Sequence, residues 1–324
     1  MDYLFEKLTK NIKNHSNIIF MTHKRPDLDG MACCIALSKI CDSMKKQSYI
    51  IWPDEKVNLS LEKGVNAIID KGIKINFISS KKIDEVINEN TLLIVLDTQK
   101  PELVEDVTVC EKIKDVFVID HHMNSSSHIE NAIFEYINSN KSSTVEIITG
   151  YLKYLNKTLD PVILTTMQAG LEIDTNGYNL KTTEDTFKIA AYLTKRGSDS
   201  ILKQEILKGS REDFIRRHNF IKNSYYIKEK YLLCEMNEEI YDNVDLAIVA
   251  DEMLRFDGVE VSFTVGKISK NVTGVSARSM GKVSVGVIMS MIGGGGHITD
   301  AAAQIKDKSI KQVVEMIKEA IKEE

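Results

Sequence analysis

Val116-Phe117-Val118-Ile119-Asp120-His121-His122 sets four apolar residues directly before a carboxylate and two imidazoles. A strand apolar at every position is covered on both faces, the condition of a parallel sheet; a half-exposed antiparallel strand would alternate. Its polar triplet falls at the carboxyl end, where open α/β sheets bind their ligands. Upstream the pattern recurs. Leu92-Leu93-Ile94-Val95-Leu96 runs into Asp97, and Asn17-Ile18-Ile19-Phe20-Met21-Thr22 runs into His23-Lys24-Arg25-Pro26-Asp27-Leu28-Asp29-Gly30, followed by a helical stretch over 31–44. Ser48 to Pro53 reads as a further strand. Strand, polar loop and helix in succession predict an α/β fold on a parallel sheet.

Downstream, 143–155, 161–171 and 183–196 have helical patterns, and the second continues into Glu172-Ile173-Asp174. Residues 199–230 are charged, helical in pattern and free of proline, so 196–230 is expected to be a helical connector. Beyond it, 231–234, 246–250, 259–265 and 271–278 are rich in β-branched residues, which suggests strands. A closing helix over 310–322 gathers Val313, Val314, Ile317 and Ile321 on one face. The expected organisation is a parallel-sheet α/β domain over 1–195, the connector, and a smaller α+β domain over 231–324.

The bulk numbers bound the function. Hydrophobic residues at 43% and charged residues at 27% of 324 belong to a folded chain long enough for two cores. A formal net charge of -5 supplies no general cationic surface for long nucleic acid, so any nucleotide partner should be short. Five cysteines, an odd number that includes the adjacent Cys33 and Cys34, point to reduced core residues rather than a disulfide framework. The first fifteen residues form a charged amphipathic pattern with no signal-like apolar run, and no window suits a membrane span, so a cytoplasmic location is expected.

Of the seven histidines, His23, His121, His122 and His297 sit in polar clusters at element ends. Together with Asp27, Asp29, Asp97 and Asp174 they offer the hard O and N donors that a pair of divalent ions needs. Mixed Asp/His ligation suits Mn²⁺ better than Ca²⁺, and the motifs contain no thiolate. Taken singly, an Asp at a strand end more often caps a helix than binds an ion; four clusters on one sheet edge are hard to reach by capping alone. Gly293-Gly294-Gly295-Gly296-His297 can open backbone N–H groups toward a phosphate, and Arg278 offers a planar fork for the same group.

These segments resemble a known family. His23 to Gly30, Asp97-Thr98, Asp120-His121-His122 and Asp174 resemble the four ordered motifs of the DHH phosphoesterases, and Ser276-Ala277-Arg278 with Gly293 to His297 resembles the DHHA1 domain. The likeness spans about residues 17 to 306. Val95 to Pro101, Ser142-Ser143-Thr144 and Gly293 to Ala302 lean toward the catalytic part of GdpP-type cyclic-di-AMP phosphodiesterases. Stand-alone relatives that act on short oligoribonucleotides and 3'-phosphoadenosine 5'-phosphate share the metal motifs and form the alternative, and a catalytically silent nucleotide sensor is a third reading.

The resemblance implies that His23 and Asp27 ligate one metal, that Asp29, His121 and Asp174 ligate the other, and that Asp97 bridges them. It implies catalytic support from His122 and Asp120, and nucleotide contacts from Ser142, Ser143, Arg278, Gly294, Gly295, Gly296 and His297. It further implies two divalent ions, Mn²⁺ first, a cyclic dinucleotide or other small nucleotide substrate, and a homodimer. There are departures. Gly30-Met31 stands where such sequences read Ala-Ile, Gln99 where they often carry His, and Asp300 where they often carry Asn. The membrane helices, PAS domain and modified GGDEF domain of full-length GdpP proteins have no counterpart in these residues, and Met1 leads us to expect a stand-alone relative.

Overall fold

Strands β1 (Asn17–Met21), β2 (Gln47–Ile51), β3 (Phe77–Ile78), β4 (Thr91–Leu96), β5 (Asp115–Asp120) and β6 (Ala132–Ile137) form one sheet in the order β3-β2-β1-β4-β5-β6. Every pairing in it is parallel. These observations come from a computed structural model that describes residues 1–323. The chain divides into two compact units, Met1–Lys208 and Gly209–Glu324.

Helices α1 (Asp2–Asn14), α2 (Leu28–Ser43), α3 (Leu59–Asp70), α4 (Val107–Lys112), α5 (Thr144–Tyr154), α6 (Pro161–Asp174), α7 (Glu184–Lys195) and α8 (Ser200–Leu207) complete the first unit. The all-apolar strands serve two cores at once. Ile18, Phe20, Leu92, Ile94, Leu96, Phe117 and Ile119 join one cluster, while Ile19, Met21, Leu93, Val95, Val116 and Val118 join another. This two-residue alternation between two buried faces explains why the central stretches of β1, β4 and β5 are apolar at successive positions. Strand order reverses between β1 and β4, and that reversal opens a crevice at their carboxyl ends.

The second unit contains α9 (Arg211–Lys222), β7 (Tyr225–Lys228), β8 (Tyr231–Ile240), α10 (Asn243–Met253), β9 (Val261–Ser269), β10 (Val272–Ser279), α11 (Val285–Met291), β11 (Gly295–Gly296), β12 (Asp300–Lys306) and α12 (Ile310–Glu323). Its sheet runs β11-β12-β10-β9-β8-β7, with β8 and β9 parallel and the other neighbours antiparallel. The expected α/β and α+β pair is therefore present in the expected order.

Two expectations differ from the structure. Residues 246–250 form the middle of α10 and not a strand. Leu246, Val249, Ala250 and Met253 are buried at spacings of three, four and seven, so helical periodicity prevails over β-branched content. Residues 196–230 do not form a single helical connector either. The α8 segment belongs to the first unit, α9 to the second, and Tyr225–Lys228 pairs with β8. All five cysteines are buried and unbridged. Among the described residues no helix is long and apolar enough to cross a membrane.

Candidate metal centre

The loop after β1 supplies the first donors. His23 Nδ1 lies 2.8 Å from the carbonyl of Lys24. Only a donor suits a carbonyl, so the proton sits on Nδ1 and Nε2 faces Asp97 Oδ2 at 3.5 Å. Asp27 caps α2, its Oδ1 accepting from the N–H groups of Asp29 and Gly30 at 2.9 and 3.2 Å. Asp29, fully buried, accepts at Oδ2 from Thr144 N–H (2.7 Å) and at Oδ1 from Val145 N–H (2.9 Å). Its carboxylate is thus oriented by the amino end of α5. Gly30 packs closely on the same centre: a Cβ there would sit 3.1 Å from the Cβ of Asp97, a tight contact that a shift of a few tenths of an ångström relieves.

Asp97 leaves β4 with φ at +67°. A non-glycine residue in that region is strained and persists where its surroundings enforce it, often at functional sites. Its Oδ1 accepts from Thr144 Oγ1 at 3.0 Å and lies 3.3 Å from His121 Nε2. Asp97 therefore stands between the two histidines. His121 Nε2 also lies 3.0 Å from Asp174 Oδ2, at the end of α6. It is buried between two carboxylates, yet the angles give a hydrogen bond to neither.

Ligating atoms of His23, Asp27 and Asp97 fall within 4.8 Å of one another, and so do those of Asp29, His121 and Asp174. A third such group is Asp97, His121 and His122. All six residues expected to ligate metal are brought together.

The electrostatics are those of a site short of positive charge. Burial, then Asp174 and Asp97, push the Asp27 carboxyl up to about 6. The same three causes hold Asp29 well above the carboxylate range. Burial alone would lower His23, but Asp97 and Asp27 raise it to about 10. His121 is likewise raised against burial, by Asp174 and Asp97. Protons on imidazoles thus take the place of a cation. Burial, then Asp29, keep the nearby Cys33 thiol protonated. The available donors are carboxylate oxygen and imidazole nitrogen, and a buried imidazole nitrogen without a hydrogen-bond partner faces the cluster. This set fits a divalent cation.

Beside the cluster, Asp120 Oδ1 accepts from His122 N–H at 3.1 Å and from His122 Nδ1–H at 2.8 Å. Asp120 Oδ2 accepts from Gln99 Nε2 at 3.0 Å. Gln99 also donates to the carbonyl of Met123 and accepts from Ser125 N–H, both at 3.0 Å, and so ties the His121-His122 turn to the end of β4. His122 is half exposed, with Nε2 left for a ligand.

Ser142 and Ser143 are fully buried. Ser142 donates from N–H and Oγ to Glu146 Oε2, and Ser143 Oγ caps α5 by accepting from Glu146 N–H. Sequence reasoning missed Thr144, Glu146 and Lys141. Lys141 pairs with Glu146 at 2.8 Å and turns its carbonyl to His121 Nδ1 at 3.4 Å. The Ser-Ser-Thr run before a helix was the available signal.

In the second unit, Arg278 Nε donates to Asp251 Oδ1 at 2.8 Å, and Nη1 donates to Ser276 Oγ and to the Ala277 carbonyl. Gly295 and Gly296 pair with Ala302 and Ala301. A Cβ on Gly294 would overlap the Ala302 carbonyl and the Ala303 Cβ. The His297 carbonyl accepts from Gly286 N–H at 2.8 Å, at the start of α11. Gly294 and Gly296 therefore serve a tightly packed turn, whereas a Cβ on Gly293 or Gly295 would meet open space. Asp300 is paired in register with Arg278.

A donor-rich crevice at the reversal point of a parallel sheet, followed by a mixed-sheet unit, defines a metal-centred phosphoesterase architecture. The chain belongs to the DHH/DHHA1 phosphoesterase family: residues 17–171 match the DHH family, N-terminal domain, and residues 228–323 match the DHHA1 domain. It is 33% identical over 322 residues to the cyclic-di-AMP phosphodiesterase GdpP of Bacillus subtilis, covering 98% of this chain and 49% of that protein. It is 29% identical to the cyclic-di-AMP phosphodiesterase PdeA of Listeria monocytogenes, again over 98% of this chain and 49% of the relative. The chain thus spans about half the length of these relatives. An exopolyphosphatase-related protein from Bacteroides fragilis shares the fold, with a TM-score of 0.83 at 17% identity over 100% of this chain and 96% of that one.

Proposed function

We propose that this chain is a phosphodiesterase that uses two divalent ions, Mn²⁺ first, to hydrolyse cyclic-di-AMP to linear diadenylate and onward to AMP. The observation that carries the reading is the gathering of His23, Asp27 and Asp97 in one donor group and of Asp29, His121 and Asp174 in another, joined where Asp97 Oδ1 lies 3.3 Å from His121 Nε2; the likeness to GdpP and PdeA supplies the substrate. In this reading His23 and Asp27 hold one ion, Asp29, His121 and Asp174 hold the other, and Asp97 is shared. Bound there, the pair would supply Lewis-acid charge and a water acidic enough to attack phosphorus at neutral pH.

The chain's own groups do the rest. Asp120 fixes the His122 ring through Nδ1, so that Nε2–H can donate to a phosphate oxygen as charge grows on it. Burial lowers the His122 pKa, while Asp120 and Asp97 raise it above the ordinary imidazole value, which favours a proton on Nε2. Thr144 and the amino end of α5 hold Asp97 and Asp29 in place. Residues 1–195 act as the catalytic part. Residues 231–324 act as the substrate-binding part through Arg278 and Gly294 to His297. A homodimer belongs to the reading on the resemblance alone, and a cytoplasmic location is part of the same proposal.

The test is chromatography of products from cyclic-di-AMP, linear diadenylate and 3'-phosphoadenosine 5'-phosphate, side by side with Mn²⁺ and with Mg²⁺. Consumption of the cyclic dinucleotide supports the proposal. If it stays intact while short oligoribonucleotides or 3'-phosphoadenosine 5'-phosphate are cut, the alternative substrate class replaces it.

A further inference from the structure

A cleft of about 620 Å³ opens in the first unit, lined by residues that lie close in sequence to the metal centre. Of its lining residues, Asn140 precedes Lys141, whose carbonyl faces His121, and Tyr178 follows Asp174 by four residues. The rings of Tyr178 and Phe187 stack with centroids 5.8 Å apart and planes 23° apart, and Phe187 is still 56% exposed, so the cleft has an aromatic face that packing has not consumed. Asn176, Tyr178 and Lys181 all adopt positive φ. Such strain persists where the surroundings enforce it, and here Tyr178 N–H donates to Thr175 Oγ1 and Asn179 Nδ2 donates to the Asn176 carbonyl. None of the residues lining the cleft is acidic, although the chain carries 47 Asp and Glu. Among the described residues the Asn140 side-chain amide and the Lys181 amine have no protein partner and stay available to a ligand.

We propose that this cleft is a nucleobase subsite for the substrate whose phosphate meets the metal centre, an inference that rests on the phosphodiesterase reading. Phe187 stacks one face of the base, and Lys181 supplies positive charge for the sugar-phosphate. The Asn140 amide presents one donor and one acceptor side by side. That pair matches the N7 and N6 edge of adenine, whereas guanine shows two acceptors on the same edge. The expected ligand class is therefore an adenine nucleotide.

Titration calorimetry of the Mn²⁺-loaded chain with AMP, GMP and ribose 5-phosphate tests this. AMP should bind about ten- to a hundredfold more tightly than ribose 5-phosphate, the worth of one base–aromatic stack. Phe187→Ala should erase most of that difference, and Asn140→Ala should narrow the gap between AMP and GMP. Phe187 lies on the surface, so circular dichroism should show a folded variant. A folded Phe187→Ala chain that keeps the wild-type preference for AMP overturns the proposal, as does a wild-type chain with no such preference. Bis-p-nitrophenyl phosphate has no nucleobase, so its hydrolysis by the wild-type chain judges the metal-centre reading separately. Hydrolysis with an unchanged Phe187→Ala preference sinks the subsite alone. Absence of hydrolysis sinks the metal-centre reading, and the AMP titration still decides the cleft.

Discussion

The carboxyl edge of the first sheet and the glycine-rich turn of the second unit both stand out in the sequence, and they handle polar groups in opposite ways. At the sheet edge, Asp27, Asp29, Asp97 and Asp174 crowd together and force protons onto His23 and His121. In the turn, Arg278 already holds Asp251, and the glycine backbone is used in pairing and close packing. One region is electrostatically incomplete on its own; the other is nearly self-sufficient. The difference teaches that a cluster of unsatisfied carboxylates calls for a cation, whereas a turn whose own pairs are complete presents a preformed surface.

The comparison can be broken most severely at Asp97. Asp97→Ala should reduce phosphodiester hydrolysis to background, because Asp97 lies between both donor groups, while circular dichroism reports a folded chain. Residual turnover near the wild-type rate would remove Asp97 from the centre. Next in size, Asp120→Ala should lower turnover about 10- to 100-fold by releasing His122, the range expected when an orienting partner is lost. Gln99→Ala should fall at the lower end of that range, since it acts through Asp120.

A pH series sharpens the contrast. In the metal-free chain the folded values of about 6 for Asp27 and about 10 for His23 lie above the ordinary ones. The native state therefore holds protons that the unfolded chain releases. Stability should fall as pH rises from about 4 toward 10. A divalent ion should restore it most at the alkaline end, and binding should release protons; thermal melts with and without Mn²⁺ check both. The turn of the second unit should behave differently. Gly294→Ala should destabilise by about 1–3 kcal/mol through overpacking against Ala302 and Ala303, whatever the metal content. The smallest effect is expected at Ser143→Ala, about 1 kcal/mol for a lost helix cap, measured by urea unfolding.

Much of this arrangement was legible. The apolar runs ending in Asp97 and Asp120 required a doubly covered strand, and the strands proved to feed two cores. The six donors were visible because they stand just after β1, β4 and β5, at the start of α2 and at the end of α6. Less visible were β6 and α11, which lack a strong apolar period, and α10, whose β-branched residues imitate a strand until their spacing is counted. The roles of Gln99 and of the α5 amino end were hidden for a physical reason. Hydrogen bonds from Gln99 to Asp120, and from Thr144 to Asp29, join residues 21 and 115 positions apart, and no local pattern encodes them.

The most direct measurement is anomalous scattering from crystals of the chain grown with Mn²⁺. The account predicts two peaks, one bounded by His23, Asp27 and Asp97, the other by Asp29, His121 and Asp174, with Asp97 touching both. Mn²⁺-soaked crystals with no peak in that crevice, or with ions only elsewhere on the surface, would contradict it.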